Sequence, residues 1–134
     1  CKVTIKEIFN IHDSGVIIHP LMAEGQVHGG LAMGVGMALF EELLIDENSG
    51  RIYNNNLLDY KMPTCMDIPD LGCAFVETRE PTGGYGNKSL GEPPNITPAP
   101  AIRNAIWDAT GVKIDEIPMT PKILYRYFAK AGLI

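Results

Sequence analysis

The sequence is short of positive charge and of paired cysteines. Lysine and arginine number 11 against 16 acidic residues, which leaves a formal net charge of −5. Nucleic-acid-binding domains carry a basic patch or stripe, so this balance argues against a nucleic-acid partner. Cys1, Cys65 and Cys73 show no C-x-x-C spacing, and an odd number cannot complete a disulfide framework. We therefore expect buried thiols in a reducing compartment.

Long apolar runs are also missing. The longest, residues 31–39, contains Gly34 and Gly36 and falls far short of the roughly 20 residues that span a bilayer. The first residues lack the apolar core of a signal peptide. These absences predict a soluble, cytoplasmic protein with no membrane partner. Cys1 stands at the start of an apparent strand, so we expect residues 1–134 to be a single domain that is the tail or a fragment of a larger polypeptide.

The common metal- and nucleotide-binding motifs are absent as well. His12, His19 and His28 form no H-E-x-x-H pair, so their spacing supports no metal site. His28 stands one helical turn after Glu24, and a surface pair is the expected arrangement. The residue before Lys88 is not the glycine that a phosphate-binding loop needs.

Hydrophobic periodicity predicts an α+β fold, a mixed sheet packed against helices. Strands are expected over residues 2–11 and 73–77, a hairpin over 43–53 and irregular structure over 54–69. One helix is expected from Pro20 to about Glu42, a second from residue 101 to a C-cap at Gly111, and a third after the N-cap Thr120. The first helix is predicted to bury Leu21, Gly25, Val27, Leu31, Val35 and Leu39.

The first predicted helix contains an unusual number of glycines, at positions 25, 29, 30, 34 and 36. Each destabilises a helix by up to ~1 kcal/mol relative to alanine. Either neighbouring backbones pack very closely there, or a ligand lies against the helix. Gln26, in the same stretch, offers two donors and an acceptor, and the residues alone favour an interhelical hydrogen bond.

A glycine-rich stretch from Gly83 to Pro94 is the most distinctive part of the chain. Its glycines allow close approach of the backbone to another molecule, and two prolines then stiffen it. Glu92 is the acid between these two parts, and the proline after it predicts extended geometry. The stretch is consistent with an ordinary surface loop, and also with a cofactor loop that presents one positioned acid.

Three blocks of sequence carry a family resemblance. Gly86 to Pro94, followed by Pro98 to Ile106, is similar to a G-x-K-x-x-G-E run and an A-P-A-I-x-N-A-I helix. Residues 13–36 resemble D-x-G…N-P…G-Q-V-x-G-G…G-x-G, with His19 in the place of the asparagine, and residues 60–64 match Y-K-x-P-T. The blocks are those of the molybdenum hydroxylases, the family of xanthine dehydrogenase and aldehyde oxidoreductase, and they occur in the family's order.

The resemblance implies that residues 1–134 are the C-terminal molybdopterin-binding domain of such an oxidoreductase. The family hydroxylates a heteroaromatic or aldehyde carbon with oxygen from water, and Glu92 stands at the position of its general base. The implied cofactor is molybdopterin with molybdenum, with or without an attached nucleotide. The implied cofactor-binding residues are Gln26, Lys88, Ser89, Leu90 and Gly91, with the backbone N–H groups of residues 88–90 free to bind pterin or pyrophosphate oxygens.

The resemblance also implies partners. The rest of the molybdenum subunit is expected to complete the site, and iron–sulfur and FAD groups are expected only in partner domains or subunits. A small molecule is the expected substrate, and this chain alone is expected to be inactive. The alternative is a non-catalytic module that keeps the fold for assembly or partner binding. The presence of both Gln26 and Glu92 favours the enzyme.

Overall fold

The computed structural model describes all residues from Cys1 to Ile134. Two strands and four helices follow one another along the chain, with one short 3₁₀ turn at Gly84–Gly86: β1 (Glu7–His12), α1 (Pro20–Leu39), β2 (Asp70–Phe75), α2 (Pro93–Ile96), α3 (Pro98–Thr110) and α4 (Pro121–Lys130). β1 and β2 form a parallel pair in which Asn10 is opposite Cys73. The helices pack with this pair, which confirms the α+β class.

Helix α1 is the long glycine-rich helix that the sequence predicts. It begins after His19, whose Nδ1 accepts a hydrogen bond from the Met22 amide at 3.3 Å, and it ends at Leu39 rather than near residue 42. Val27, Leu31 and Val35 are fully buried, as predicted.

The prediction that α1 buries Leu21 and Gly25 was wrong. Leu21 is 73% exposed and Gly25 is exposed. Gly25 follows the buried Ala23 by two residues, which is a rotation of about 200° around the helix axis. It therefore points away from the buried stripe, which a list of apolar and small residues alone does not reveal.

Close packing explains two of the glycines of α1. A Cβ built on Gly30 would lie 2.8 Å from the Pro94 Cβ, and one built on Gly34 would lie 2.4 Å from the Pro98 Cγ. The starts of α2 and α3 therefore press directly on the α1 backbone at these two positions. Gly29 differs, because a Cβ there would meet nothing within 4 Å.

The strands differ from the predicted ranges. Residues before Glu7 form no strand, although Val3 and Ile5 pack against the hydrophobic core. β2 begins at Asp70 rather than residue 73, because the parallel register pairs Asp70 with Glu7. The predicted hairpin is reduced to a single antiparallel bridge between Ile45 and Ile52.

The predicted C-terminus of α3 and the predicted N-terminus of α4 are confirmed. α3 ends at Gly111, which has a left-handed φ of 72°. Before α4, the Thr120 Oγ1 accepts a hydrogen bond from the Ile123 amide at 3.4 Å. These helices and α1 enclose one core, made of Val35, Ala38, Ile102, Ile106, Ile114, Met119 and Leu124.

The three cysteines are all free. Cys1 and Cys65 are exposed and Cys73 is partly buried, so the expectation of buried thiols was wrong for the first two. Both lie outside the helices and strands, where no packed layer covers them. None of the helices combines the length and the hydrophobicity needed to cross a bilayer.

Candidate cofactor site

The glycine-rich loop lies directly on the turn that follows β1. The Lys88 amide donates to the Ser14 carbonyl at 2.7 Å, and the Val16 amide donates to the Gly86 carbonyl at 3.0 Å. Gly15 has a φ of 66°, and a Cβ there would lie 2.4 Å from the Gly86 carbonyl oxygen. The two segments therefore touch through their backbones, and glycine is the residue that permits the contact.

Ser14 adds a side-chain contact to this junction. It is 2% exposed, and its Oγ donates to the Ser89 carbonyl at 3.1 Å. Because a buried hydroxyl needs a partner, this hydrogen bond fixes the loop position at Ser89.

Asp13 binds the Lys88 side chain. The Lys88 Nζ lies 2.7 Å from the Asp13 Oδ2, while the Gly15 amide and the Thr78 hydroxyl donate to the Oδ1 at 3.0 and 2.5 Å. The hydrogen bond from Lys88, followed by those from Thr78 and Gly15, holds the pKa of Asp13 well below its ordinary value. The Lys88 ammonium group is thus held beside the loop by a carboxylate from the preceding turn.

Gln26 reaches the same loop from α1. Its Nε2 donates to the Gly91 carbonyl at 3.0 Å, so its partner is the loop rather than a second helix. The side chain is exposed, and its Oε1 has no hydrogen-bond partner in the chain.

A cleft of about 220 Å³ separates α1 from the loop. Its walls include Gln26 and Met22 from α1, His19 at the helix start, and Lys88 and Leu90 from the loop. The fold therefore brings together three of the residues that the sequence analysis selected, Gln26, Lys88 and Leu90.

The backbone amides of the loop are only partly free. The Lys88 amide is bonded to Ser14, so the expectation of a free N–H at this residue was wrong. The contact is long-range, which is why local sequence does not reveal it. The amides of Ser89 and Leu90 have no acceptor in the chain, and they remain available to a ligand.

Glu92 lies at the end of the loop and outside the cleft lining. Its φ and ψ are −85° and −22°, so the extended geometry expected before a proline was wrong. The Asn95 amide donates to the Glu92 carbonyl at 2.8 Å, and this turn offsets the steric preference of a residue before proline. The carboxylate is exposed and makes no hydrogen bond within the chain.

The sequence analysis did not select Asp13 or Ser14 as site residues. It interpreted them as parts of a turn and of a family motif. Both of their contacts with the loop join residues 75 positions apart, so no local pattern reveals them. The only signal for a further role is their place in the D-x-G block.

Comparisons with known proteins agree with this geometry. Residues 1–69 match the family model described as molybdopterin cofactor-binding domain. The whole chain is 63% identical to the xanthine dehydrogenase molybdenum-binding subunit of Escherichia coli O157:H7 and covers 18% of it. It is 36% identical to the nicotine 6-hydroxylase large subunit of Paenarthrobacter nicotinovorans, with 98% of this chain and 16% of that protein covered.

Solved structures with the same fold are also molybdenum hydroxylases. Quinoline 2-oxidoreductase from Pseudomonas putida 86 superposes with a TM-score of 0.86 at 32% identity, over 95% of this chain and 16% of that one. Aldehyde oxidoreductase from Desulfovibrio gigas superposes with a TM-score of 0.83 at 32% identity, over 94% of this chain and 14% of that one.

The chain spans less than a fifth of the length of the curated relatives it matches. The resemblance seen in the sequence blocks is confirmed along its whole length. The chain therefore belongs to the molybdopterin cofactor-binding domain family of xanthine dehydrogenase-like molybdenum hydroxylases.

Proposed function

We propose that residues 1–134 form the C-terminal part of a molybdenum subunit and supply one wall of its molybdopterin site. Gln26 and the loop residues Lys88, Ser89, Leu90 and Gly91 would face the cofactor. The support is the cleft between α1 and the loop, which is lined by Gln26, Lys88 and Leu90, together with the free backbone amides of Ser89 and Leu90 in the same loop. Backbone amides of this kind bind phosphate and carbonyl oxygens, so the donor set fits a pterin with a phosphate group.

Within this wall, Gly91 has a positioning role. Its carbonyl accepts a hydrogen bond from the Gln26 side-chain amide. This bond ties the backbone directly before Glu92 to α1. Ser14 and Asp13 hold the other half of the loop through Ser89 and Lys88. The loop is thus fixed at both ends before any ligand binds, which lowers the entropy cost of binding.

Glu92 is the proposed general base. The observation that carries this role is its anchored backbone: Gly91 on one side is bonded to Gln26, and Pro94 on the other is buried against Gly30. When bound, the molybdenum cofactor would supply the two-electron oxidation and would acidify the water that provides the oxygen. The Glu92 carboxylate would accept one of the protons released from that water.

The exposure of Glu92 in this chain agrees with a shared site. A general base must lie within hydrogen-bond reach of the proton it accepts, in a site that excludes bulk water. Residues of the remaining subunit and the cofactor itself would close such a site around Glu92. The chain alone therefore lacks the environment in which Glu92 is proposed to act.

The proposed substrate is a heteroaromatic compound or an aldehyde. The names of the similar proteins include a nicotine 6-hydroxylase, a quinoline 2-oxidoreductase and an aldehyde oxidoreductase. Electrons would leave through iron–sulfur and FAD groups in partner domains or subunits. A non-catalytic module would need neither the Gln26–Gly91 bond nor an acid fixed beside it.

The test uses the full molybdenum subunit with its partners. Glu92→Gln is compared with the unchanged protein for molybdenum content and for the rate of cofactor reduction by substrate. Full molybdenum content with a greatly reduced rate supports the proposed base. An unchanged rate per molybdenum would remove Glu92 from the reaction.

A further inference from the structure

A cluster of three different metal-ligating side chains lies where α1 meets β2. Glu24 and His28 stand one turn apart on α1, and Cys73 projects from β2. One ligand atom from each of the three lies within 4.8 Å of the other two. The Glu24 Oε1 and the His28 Nε2 are 4.0 Å apart.

His28 has an unsatisfied nitrogen on the side that faces Glu24. Its Nε2 is buried and has no hydrogen-bond partner. A buried polar atom without a partner is unfavourable, because the atom gives up hydration and gains nothing in return. Glu24 at 4.0 Å is too far to satisfy it as a hydrogen-bond partner. A bound ion between the three side chains would satisfy it.

We propose that Glu24, His28 and Cys73 bind a Zn²⁺ ion. Zinc is the divalent cation that takes imidazole nitrogen, thiolate sulfur and carboxylate oxygen together, with a water molecule in the fourth position of a tetrahedral site. This proposal is independent of the proposed molybdopterin chemistry.

The distances allow such a site after a small side-chain adjustment. Zinc bond lengths of about 2.0–2.3 Å place neighbouring tetrahedral ligand atoms about 3.3–3.6 Å apart. The Glu24–His28 separation of 4.0 Å is somewhat larger, and no pair of ligand atoms is more than 4.8 Å apart. Glu24 has an exposed side chain, and rotation of its terminal bonds brings the carboxylate closer without disturbing the core.

The position on α1 separates this cluster from the residues facing the cleft. Gln26 lies two residues from both Glu24 and His28, which is about 200° of helix rotation in either direction. Gln26 faces the loop, whereas the cluster faces β2. A zinc ion there would cross-link α1 to the parallel strand pair and leave the Gln26–Gly91 contact unchanged.

Zinc binding requires one proton to leave. Burial, and then the negative charge of Glu24, raise the pKa of the Cys73 thiol, so the free thiol is protonated at neutral pH. On binding, a Zn–S bond forms, the S–H bond breaks and the proton passes to solvent, with no change in oxidation state.

The experiment is equilibrium dialysis of the full molybdenum subunit against Zn²⁺, followed by elemental analysis. His28→Gln and Cys73→Ser are each expected to lower the zinc content by one ion per subunit. His12→Gln and Cys65→Ser are the matched controls, since neither residue lies in the cluster, and they should keep the unchanged protein's zinc. Equal zinc in the unchanged protein and in both cluster variants would overturn the proposal.

Two further measurements keep the test decisive if a cluster variant folds poorly. Glu24→Gln changes an exposed side chain and is expected to weaken zinc affinity at least about tenfold, at unchanged molybdenum content. Co²⁺ in place of zinc should give a thiolate-to-cobalt charge-transfer absorption that Cys65→Ser retains. Unchanged affinity in Glu24→Gln, or a cobalt spectrum without the thiolate band, would contradict the site.

Discussion

The Gln26 side chain and the Gly91 carbonyl are joined by a hydrogen bond of 3.0 Å between α1 and the glycine-rich loop. The bond lies one residue before Glu92. On the other side of Glu92, Pro94 is buried against Gly30 of the same helix. One helix therefore determines the backbone position of the proposed base from both directions, while the base itself remains exposed to whatever completes the site.

The first prediction concerns the close contact between α1 and α3. Gly34→Leu is expected to destabilise the domain, because a Cβ added at this position would lie 2.4 Å from the Pro98 ring. Overpacking of this kind typically costs ~1–3 kcal/mol. The measurement is the denaturant midpoint of the subunit.

Gly29→Ala is the control for that substitution. A Cβ there meets nothing within 4 Å, so helix propensity alone predicts a stability gain of up to ~1 kcal/mol. Equal midpoints for Gly34→Leu and the unchanged protein would show that α3 gives way at no cost.

The second prediction concerns the ion pair between Asp13 and Lys88. Because the pKa of Asp13 is lowered in the folded state, its stabilising contribution is fully present above the unfolded pKa of about 3.9. It is lost progressively as the pH falls from there towards the lower pKa of the folded state. Asp13→Asn should therefore be less stable than the unchanged protein at neutral pH, and the difference should shrink in acid.

The measurement for Asp13 is a series of thermal midpoints from neutral to acid pH. Asp108→Asn is the control, since Asp108 is exposed and forms no ion pair. A difference between Asp13→Asn and the unchanged protein that stays constant with pH would contradict the assigned charge.

The third prediction concerns residues 1–134 in isolation. The cleft is open and Glu92 is exposed, so the isolated chain should hold no stoichiometric molybdenum after expression in cells that make the cofactor. Elemental analysis and the fluorescence of released pterin measure this. About one molybdenum per chain would mean that a single wall is sufficient.

Local sequence predicted the helices well and the strands less well. The C-terminus of α3 depends on Gly111 and the N-terminus of α4 depends on Thr120. Both capping roles are short-range and can be recognised from residue type. The start of β2 depends on its register with β1, more than 60 residues away in the chain. No pattern within residues 70–75 contains that information.

In the candidate site, too, some features could be predicted from the sequence and others could not. Family motifs identified Gln26, Lys88 and Leu90, and the fold places all three around one cleft. The partner of the Lys88 amide and the turn geometry of Glu92 were missed, because each depends on contacts that the sequence does not encode locally. The meeting of His28 with Cys73 is likewise a product of the fold, which pairs a helix face with a strand 45 residues further along.

The proposed role of Glu92 is tested most directly by the reductive half-reaction of the full enzyme with Glu92→Gln, measured per bound molybdenum. The amide keeps the size of the side chain and cannot accept the proton, so the rate should fall by ~10²–10⁴ with molybdenum content unchanged. Glu47→Gln, in an exposed turn, should react at the unchanged rate. A Glu92→Gln enzyme that holds full molybdenum and is reduced as fast as the unchanged protein would contradict the mechanism.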